Sequence, residues 1–346
     1  MAKKQANLSF KIAATYIGTI VGAGFATGKE IVEFFTVHGL YGAIGILLSG
    51  ILFIWLGTKM MLLSVDIQAF SVQEFNRYLF GNTVGTIING ITIVVLIGVT
   101  SVMLSGAGAV FEEQLHLNRQ LGIILTVAIS LLVLQKGIEG VFSVNVIVVP
   151  IMMLFIIGLS STTFSTSLAS IGQTIPEGPV NIKWFINPFA YVALNLVLAQ
   201  SVLVPLAHEV QDKKAIMKGG ILGGIGLCFI LLSSHLAISS IESFHTYNIP
   251  MAEVIRQLNY VFHFLFIFII LGEIFTTVVG NVFGISKQLQ SIFDIPYFIV
   301  VVVVICVAYS ISFVSYSPLL SFLYPLIGWV SLAFLPLVAF KTKKHL

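Results

Sequence analysis

The strongest constraint on this chain is a series of long apolar runs that follow one another almost without interruption. Most of them approach or exceed the roughly 20 residues that a helix needs to cross a bilayer. Only 9% of the residues are charged, whereas a soluble domain carries about 25%. The runs are continuous, so they do not match the alternating strands of a transmembrane β-barrel. These features exclude a soluble enzyme, a nucleic-acid-binding protein and a disordered chain, and they predict an all-α polytopic membrane protein.

Polar breaks divide the chain into about ten predicted transmembrane helices within a single domain, 1–346. The intervening segments predict short amphipathic helices at 66–80 and 250–257, and a long loop rich in Ser and Thr at 160–183. The spans are predicted at 9–37, 40–63, 83–111, 120–135, 140–162, 185–209, 218–240, 258–286, 296–316 and 318–340.

The distribution of basic residues predicts the orientation of the chain. With ten spans and a cytoplasmic N-terminus, thirteen of the 17 Lys and Arg residues fall on the cytoplasmic side, which is the bias seen in multi-pass membrane proteins. Both termini are therefore predicted to lie in the cytoplasm, with the protein in the cell membrane. The thirteen are Lys3, Lys4, Lys11, Lys59, Arg77, Lys136, Lys213, Lys214, Lys218, Lys287, Lys341, Lys343 and Lys344, and the other four are Lys29, Arg119, Lys183 and Arg256.

Four glycines within residues 18–28 predict a break in the first span. Each glycine weakens a helix by about 1 kcal/mol relative to alanine, and a break at membrane depth exposes amides that favour an anion and carbonyls that favour a cation. Close packing of small residues at Gly18–Gly22 and Gly24–Gly28 is the alternative interpretation. Lys29 and Glu30 follow directly; they either line a pathway or lie in water near the outer interface.

The eighth span carries the acid that lies deepest in any span, Glu273, together with Thr276 and Thr277. Residues at i, i+3 and i+4 share one face of a helix, and clustered oxygen ligands suit a hard cation. The Glu273 carboxyl could instead carry a proton, or it could form a hydrogen bond between helices.

The sixth span contains Asn195, Gln200 and Pro205. A proline within a helix removes one backbone hydrogen bond, so a second break is predicted around 194–202, although this span lacks glycines in that region. No catalytic motif occurs in the chain, such as a phosphate-binding glycine loop or paired aspartates. The sequence therefore predicts that the protein is not an enzyme and needs no cofactor.

The run GTIVGAG, which begins at Gly18, resembles the broken first helix of transporters with the LeuT fold in the amino acid–polyamine–organocation superfamily. The longer string VGAGFATGKE, the ten spans and the chain length are similar to the YkvI-type bacterial membrane proteins, a group regarded as amino-acid permeases. The resemblance implies two inverted repeats of five spans, 9–162 and 185–340, with helices 1 and 6 broken at the membrane midplane. Spans 1, 2, 6 and 7 would then move as a bundle against the rest.

The resemblance also implies a set of site residues. The coupling cation, Na⁺ or a proton, would be held by the carbonyls of Gly18, Val21 and Glu273 and the hydroxyls of Thr276 and Thr277. The substrate carboxylate would meet the amides of Gly22, Ala23 and Gly24, the amine end would meet Thr19 and Asn195, and Lys29 and Glu30 would form a gate. A small residue is common in sodium-coupled relatives where this chain has Glu273, so proton coupling stays open.

The predicted function is secondary active transport of a small amino acid or a related organic solute by alternating access. Two alternatives stay open. The first is a passive channel, and the second is a sensor or assembly partner that keeps the transporter fold without transport. The expected partners are the small-molecule solute and the lipid bilayer, with no nucleic acid.

Overall fold

A computed structural model of the protein describes residues 2–22, 25, 28–173, 182–241, 244, 250–256, 260–293, 295–313 and 331–341. All the regular secondary structure within these residues is helical. The helices are α1 (Ala2–Ile20), α2 (Lys29–Phe34), α3 (Leu40–Leu52), α4 (Thr58–Asp66), α5 (Val72–Phe80), α6 (Asn82–Glu113), α7 (Arg119–Leu134), α8 (Ile138–Gln173), α9 (Lys183–Val210), α10 (Lys213–Ser239), α11 (Pro250–Arg256), α12 (Tyr260–Gln290), α13 (Tyr297–Ile311) and α14 (Ser331–Phe340).

Two short helical turns complete this order. A 3₁₀ turn at Thr36–His38 precedes α3. A π-helical turn at Phe53–Gly57 joins α3 to α4, so that Leu40–Asp66 forms one long helix.

Six of the described helices are long and apolar enough to cross a membrane. They are the joined α3–α4 helix, α6, α8, α9, α10 and α12, while α7, α13 and α14 are apolar but shorter. The predicted helix at 250–257 is confirmed as α11, whereas the one predicted at 66–80 is confirmed only over 72–80, as α5, because Asp66 ends α4. The predicted loop at 160–183 is wrong over its first part, because no proline interrupts residues 160–173 and α8 therefore continues to Gln173. Most of the tenth predicted span lies outside the described residues.

The outward faces of the long helices carry large apolar side chains. Leu154 on α8 is 70% exposed, Val94 on α6 is 66% exposed and Leu132 on α7 is 63% exposed. In water such surfaces would drive aggregation, whereas against lipid tails they are the expected covering of a helix. The exposed faces therefore agree with the apolar composition in indicating a bilayer as the solvent.

The predicted break in the sixth span is wrong. Helix α9 is continuous from Lys183 to Val210 although it contains Pro188 and Pro205. The amide of Asn195 donates to the carbonyl of Tyr191, one turn back, at 2.9 Å, so its side chain adds a bond within the helix instead of replacing one. With no glycine between these prolines, the loss of one backbone bond at each is tolerated by the packing around the helix.

The buried apolar side chains form two clusters that centre on different groups of helices, although α6, α8, α9 and α12 contribute side chains to both. One cluster centres on α1, the joined α3–α4 helix, α9 and α10, and includes Tyr16, Phe53 and Leu203. The other centres on α6, α7, α12 and α13, and includes Leu104 and Val279. The first group contains predicted spans 1, 2, 6 and 7, and the second contains spans 3, 4, 8 and 9.

Close contacts across glycines hold the first group together. A β-carbon on Gly223 of α10 would lie 2.5 Å from Cδ1 of Tyr16, so only glycine permits α1 to approach α10 this closely. The hydroxyl of Tyr16 donates to the carbonyl of Phe53 at 2.8 Å, at the start of the π-helical turn. A π-helical turn disturbs the regular series of backbone bonds, and the tyrosine supplies a donor to one of its carbonyls.

Candidate functional site

The first transmembrane helix is broken where its glycines predict. Helix α1 ends at Ile20, and the amide of Val21 makes one further helical bond to the carbonyl of Ile17 at 2.8 Å. Among the described backbone bonds, the amide of Gly22 does not continue this series to the carbonyl of Gly18. The Gly18 carbonyl is therefore left outside the regular helical ladder, where a free carbonyl favours a cation.

Helix α2 is joined to the segment before it through a residue that only glycine suits well. Gly28 adopts a left-handed conformation with φ of 81°, which glycine reaches without steric cost, and a β-carbon there would lie 2.8 Å from Cδ1 of Ile238. Helix α2 begins at the next residue, so the predicted gate residues Lys29 and Glu30 are half-buried in its first turn. Two predicted substrate ligands, at positions 23 and 24, lie outside the described residues.

The predicted oxygen face of α12 lies opposite this break. The hydroxyls of Thr276 and Thr277 donate to the carbonyl of Glu273 at 3.0 and 2.8 Å, so three oxygens cluster on one turn. Thr276 is buried and Thr277 is half-buried. A β-carbon built on Gly22 would lie 3.4 Å from the Thr277 hydroxyl oxygen. The fold thus brings Thr277 against the broken segment from a helix that is more than 250 residues away in sequence.

The carboxyl of Glu273 is fully buried. Its exposure is 0%, and neither carboxyl oxygen has a hydrogen-bond partner within the described part of the chain. A buried ionised carboxylate without a partner is costly. The position therefore suits either a neutral carboxyl that has taken up a proton or a carboxylate beside a cation.

The two described side chains predicted for the amine end of the substrate are hydrogen-bonded within their own helices. The Thr19 hydroxyl donates to the carbonyl of Thr15 at 2.6 Å, and Asn195 is bonded to Tyr191 as described above. Thr19 is half-buried at the end of α1, and Asn195 is 7% exposed. Both side chains keep oxygen atoms available as acceptors.

An aromatic cluster covers the region between α2 and α9. It is formed by Phe34, Phe35, Phe53 and Tyr191, whose ring centroid lies 5.3, 5.1 and 6.1 Å from the three phenylalanine rings. The charge of Glu30 is close enough to Tyr191 for the two groups to interact. This cluster places apolar surface and one acidic residue beside the broken first helix.

A polar contact joins the start of α9 to the turn before α3. The amide of Asn187 lies 3.1 Å from both the carbonyl of Phe34 and the Nε2 atom of His38. Burial, and secondarily the charge of Lys183, lower the pKa of the His38 ring below 6.5. A neutral ring can accept the Asn187 donor, so this contact favours the unprotonated imidazole.

Sequence reasoning missed one polar residue of this region. Asn145 is an isolated amide in the apolar fifth span, is 1% exposed, and faces Gly18. Gln200, which the sequence does single out, is fully buried, and neither its oxygen nor its nitrogen has a partner among the described residues. The signal for both is a single amide within a long apolar run.

A lysine is enclosed by aromatic rings at the C-terminal ends of α9 and α12. The Lys287 ammonium lies 2.8 Å from the carboxylate of Glu209. It also lies 5.0, 5.8 and 5.6 Å from the ring centroids of Phe70, Phe283 and Tyr297. This lysine cage joins the two helix groups at the end of the molecule where the positive-inside bias predicts the cytoplasm.

Comparison with solved structures identifies the fold. Among solved structures, the chain is similar to a Na⁺-coupled sialic acid symporter in a substrate-bound outward-open state, with a TM-score of 0.72, 13% identity, and coverage of 96% of this chain and 79% of that one. It is also similar to MhsT in complex with L-phenylalanine, with a TM-score of 0.68, 15% identity, and coverage of 96% and 86%. At these identities the likeness shows the fold alone, which is the LeuT-like transporter fold.

The chain is more similar in sequence to one relative and to one protein family. The chain is 46% identical over 327 residues to the uncharacterised membrane protein YkvI of Bacillus subtilis (strain 168), covering 94% of this chain and 93% of that protein. This confirms the resemblance drawn from the sequence. Residues 9–318 match the family model described as "Spore germination protein". The chain is therefore a multi-pass membrane protein of the spore germination protein (spore permease) family, built on a transporter fold.

Proposed function

We propose that the protein is a secondary active transporter that moves a small amino acid or a related organic solute by alternating access, driven by Na⁺. The observation that carries this proposal is the oxygen face of α12 opposite the broken first helix. In our proposal the face supplies the Glu273 carbonyl and the Thr276 and Thr277 hydroxyls. The break would supply the carbonyls of Gly18 and Val21, and the first of these lacks its helical partner, the Gly22 amide. Neutral carbonyl and hydroxyl oxygens of this kind suit a hard monovalent cation.

Alternating access fits a buried core that has two centres. In our proposal the group that contains α1, α9 and α10 moves against the group that contains α6, α7, α12 and α13. The cation would bridge the two groups, since Gly18 and Val21 belong to the first and Thr277 belongs to the second. The same proposal includes two inverted repeats, 9–162 and 185–340, and both termini in the cytoplasm.

The substrate end of the site is proposed from the residues beside the break. A substrate carboxylate would meet the amides at and after Gly22, and an amine would meet acceptor oxygens of Thr19 and Asn195. Lys29 and Glu30 would gate this region next to the aromatic cluster. The solved neighbours support a small solute, since one is a sialic acid symporter and the other was solved in complex with L-phenylalanine.

Proton coupling is the second candidate, and the burial of Glu273 favours it. A carboxyl at 0% exposure without a described partner could carry a proton between the two sides. A third reading, a ligand sensor that keeps the fold without flux, is favoured by the germination role in the description of the family.

Uptake by purified protein in proteoliposomes separates these candidates. A thermal-shift screen of amino acids and amines, with and without Na⁺, first identifies a ligand, because binding raises the apparent stability. Uptake of that ligand is then measured under an imposed Na⁺ gradient and under an imposed proton gradient. Ligand binding without flux under either gradient would support the sensor, and conductance without alternating access would support a channel.

Two substitutions and a matched control assign the coupling ion. If Na⁺ drives transport, Thr277→Ala loses most of the Na⁺-driven uptake while Glu273→Gln retains it, since the glutamate acts through its backbone carbonyl. If a proton drives transport, Glu273→Gln loses uptake instead. Thr92→Ala is the control, because the Thr92 hydroxyl is also buried and also donates to the carbonyl one turn back, at 2.9 Å from Ile88. Full uptake by both site variants would refute the proposed coupling site.

A further inference from the structure

A buried amide on α8 has an acceptor atom that the described protein does not satisfy. Asn145 is 1% exposed, and its Nδ2 atom donates to the carbonyl of Val141 at 2.8 Å. Its Oδ1 atom is fully buried and has no hydrogen-bond partner within the described residues. Leaving a buried acceptor without a partner is unfavourable, so packing alone does not explain why an amide occupies this position.

The unsatisfied oxygen faces Gly18, which lies in the last turn of α1 before the break. A methyl group on Gly18 would overlap Oδ1 of Asn145, and it would lie only 2.9 Å from Cγ of the same side chain and 3.0 Å from Cγ2 of Val149. Glycine at position 18 therefore does more than weaken the helix, because it admits an amide oxygen against the backbone of α1. The carbonyl of the same residue is the one that the helical ladder leaves without the Gly22 amide.

Hydrogen bonding within α8 determines which atom points at the break. Because the Nδ2 atom is used by Val141, the oxygen is the atom that faces Gly18. An amide held this way presents a fixed dipole with its negative end toward the first helix. This orientation suits a cation, and it is unsuited to a carboxylate or another anion.

We propose that Asn145 is a further ligand of the transported Na⁺ and supplies its Oδ1 atom from α8. The inference rests on the proposed function, since it adds a ligand to the same cation site. The site would then draw oxygens from three helices: Gly18 and Val21 of α1, the Glu273–Thr277 turn of α12, and Asn145 of α8. Hard cations take several oxygen ligands, and a neutral amide adds one without adding charge.

The test measures the affinity of the purified protein for Na⁺ in detergent at pH 8. Na⁺ replaces choline at constant ionic strength, and the rise of the melting temperature with Na⁺ concentration yields an apparent dissociation constant. We expect Asn145→Ala to weaken Na⁺ binding at least ten-fold, as Thr277→Ala does. We expect Asn145→Asp, which keeps the shape and adds a negative charge, to bind Na⁺ at least as tightly as the parent protein.

Asn89→Ala provides the matched control. Asn89 is also a buried amide, 3% exposed, but it lies on α6 and bonds to Asn76 at 2.8 Å and to the carbonyl of Gln73 at 3.2 Å. Its loss should lower the melting temperature and leave the Na⁺ dissociation constant unchanged. The comparison separates a general loss of stability from a specific loss of cation binding.

Each outcome supports or overturns the inference. If the parent protein and Asn145→Ala bind Na⁺ equally while Thr277→Ala does not, Asn145 is a packing residue and the proposed function stands. If the parent protein shows no response to Na⁺, both the sodium site and the role of Asn145 are wrong. Should Asn145→Ala fail to fold, Asn145→Asp decides, because Na⁺ binding weakened ten-fold in that variant would overturn the assignment.

Discussion

Removing one hydroxyl from the core tests how the first two spans are held together. Tyr16 is fully buried, and its hydroxyl donates to the carbonyl of Phe53 at 2.8 Å. Close approach of Gly57 and Gly223 leaves the ring little freedom to move. In Tyr16→Phe the ring stays in place, and the Phe53 carbonyl loses a donor in a turn whose backbone bonding is already irregular.

The expected loss follows from the burial of that acceptor. Leaving a buried acceptor unsatisfied costs about 1–3 kcal/mol, while hydrogen bonds measured within membrane proteins average about 0.6 kcal/mol and reach about 1.7. We therefore expect Tyr16→Phe to lower the free energy of unfolding by about 1–2 kcal/mol, since the site combines full burial with an irregular turn. A loss of this size changes the folding equilibrium roughly 5- to 30-fold.

Tyr191→Phe is a control of the same chemistry. Tyr191 is also fully buried, but among the described residues no backbone carbonyl accepts from its hydroxyl, whose polar neighbour is the side chain of Asn195, beyond hydrogen-bond distance. Replacing it should leave the free energy of unfolding nearly unchanged, because no buried backbone carbonyl loses its donor.

Reversible unfolding in mixed micelles, followed by tryptophan fluorescence, measures both variants. The prediction is a clear separation between them, with only Tyr16→Phe destabilised. Equal destabilisation of the two variants would show that the 2.8 Å contact contributes nothing beyond the loss of a hydroxyl, and the argument from the π-helical turn would be wrong.

Three further predictions test other parts of the fold. Gly28→Ala should lower stability by more than Gly81→Ala in a melting experiment: both glycines have φ above 80°, but only Gly28 has a side chain within 4 Å of the added methyl. A double-mutant cycle on Lys287→Met and Glu209→Gln should yield a coupling free energy of about 1 kcal/mol, as expected for a partly exposed ion pair; zero coupling would contradict the lysine cage. The pKa of His38 is lower in the folded protein than in the unfolded chain. Its contribution to stability should therefore be present above pH 6.5 and be lost as the pH falls from there to the lowered pKa. His38→Gln should remove that part of the pH dependence of the melting temperature.

The broken first helix and the continuous sixth helix show what could be read from local sequence. The glycines of residues 18–28 weaken a helix and so predicted the break, but the five glycines of residues 219–226 leave α10 unbroken, so glycine content permits a break without requiring one. The sixth span carries Pro188 and Pro205 yet remains helical, because both prolines are buried and the packing around them compensates for one missing bond at each. Whether a helix breaks at a proline depends on residues that pack against it from elsewhere in the chain.

The candidate site likewise has one part that the sequence predicted and one part that only the structure shows. The i, i+3 and i+4 spacing placed Glu273, Thr276 and Thr277 on one face, and the helix confirms that their oxygens cluster. The sequence shows Asn145 as an isolated amide in an apolar run, but it does not show which residue that amide contacts. Only the packing of α8 against α1 shows that the amide oxygen meets Gly18.

The sequence by itself determined the solvent, the helical class and the positions of most spans, and it indicated a break in the first helix. These depend on apolar length, on backbone satisfaction in lipid and on glycine, all of which act over one or two turns. The tertiary structure alone decided that α9 stays whole, that α8 extends to Gln173, and that Thr277 and Asn145 face the break from two different helices. Contacts between residues more than a hundred positions apart depend on how helices pack, and packing is set by the whole set of neighbouring surfaces and not by any one segment.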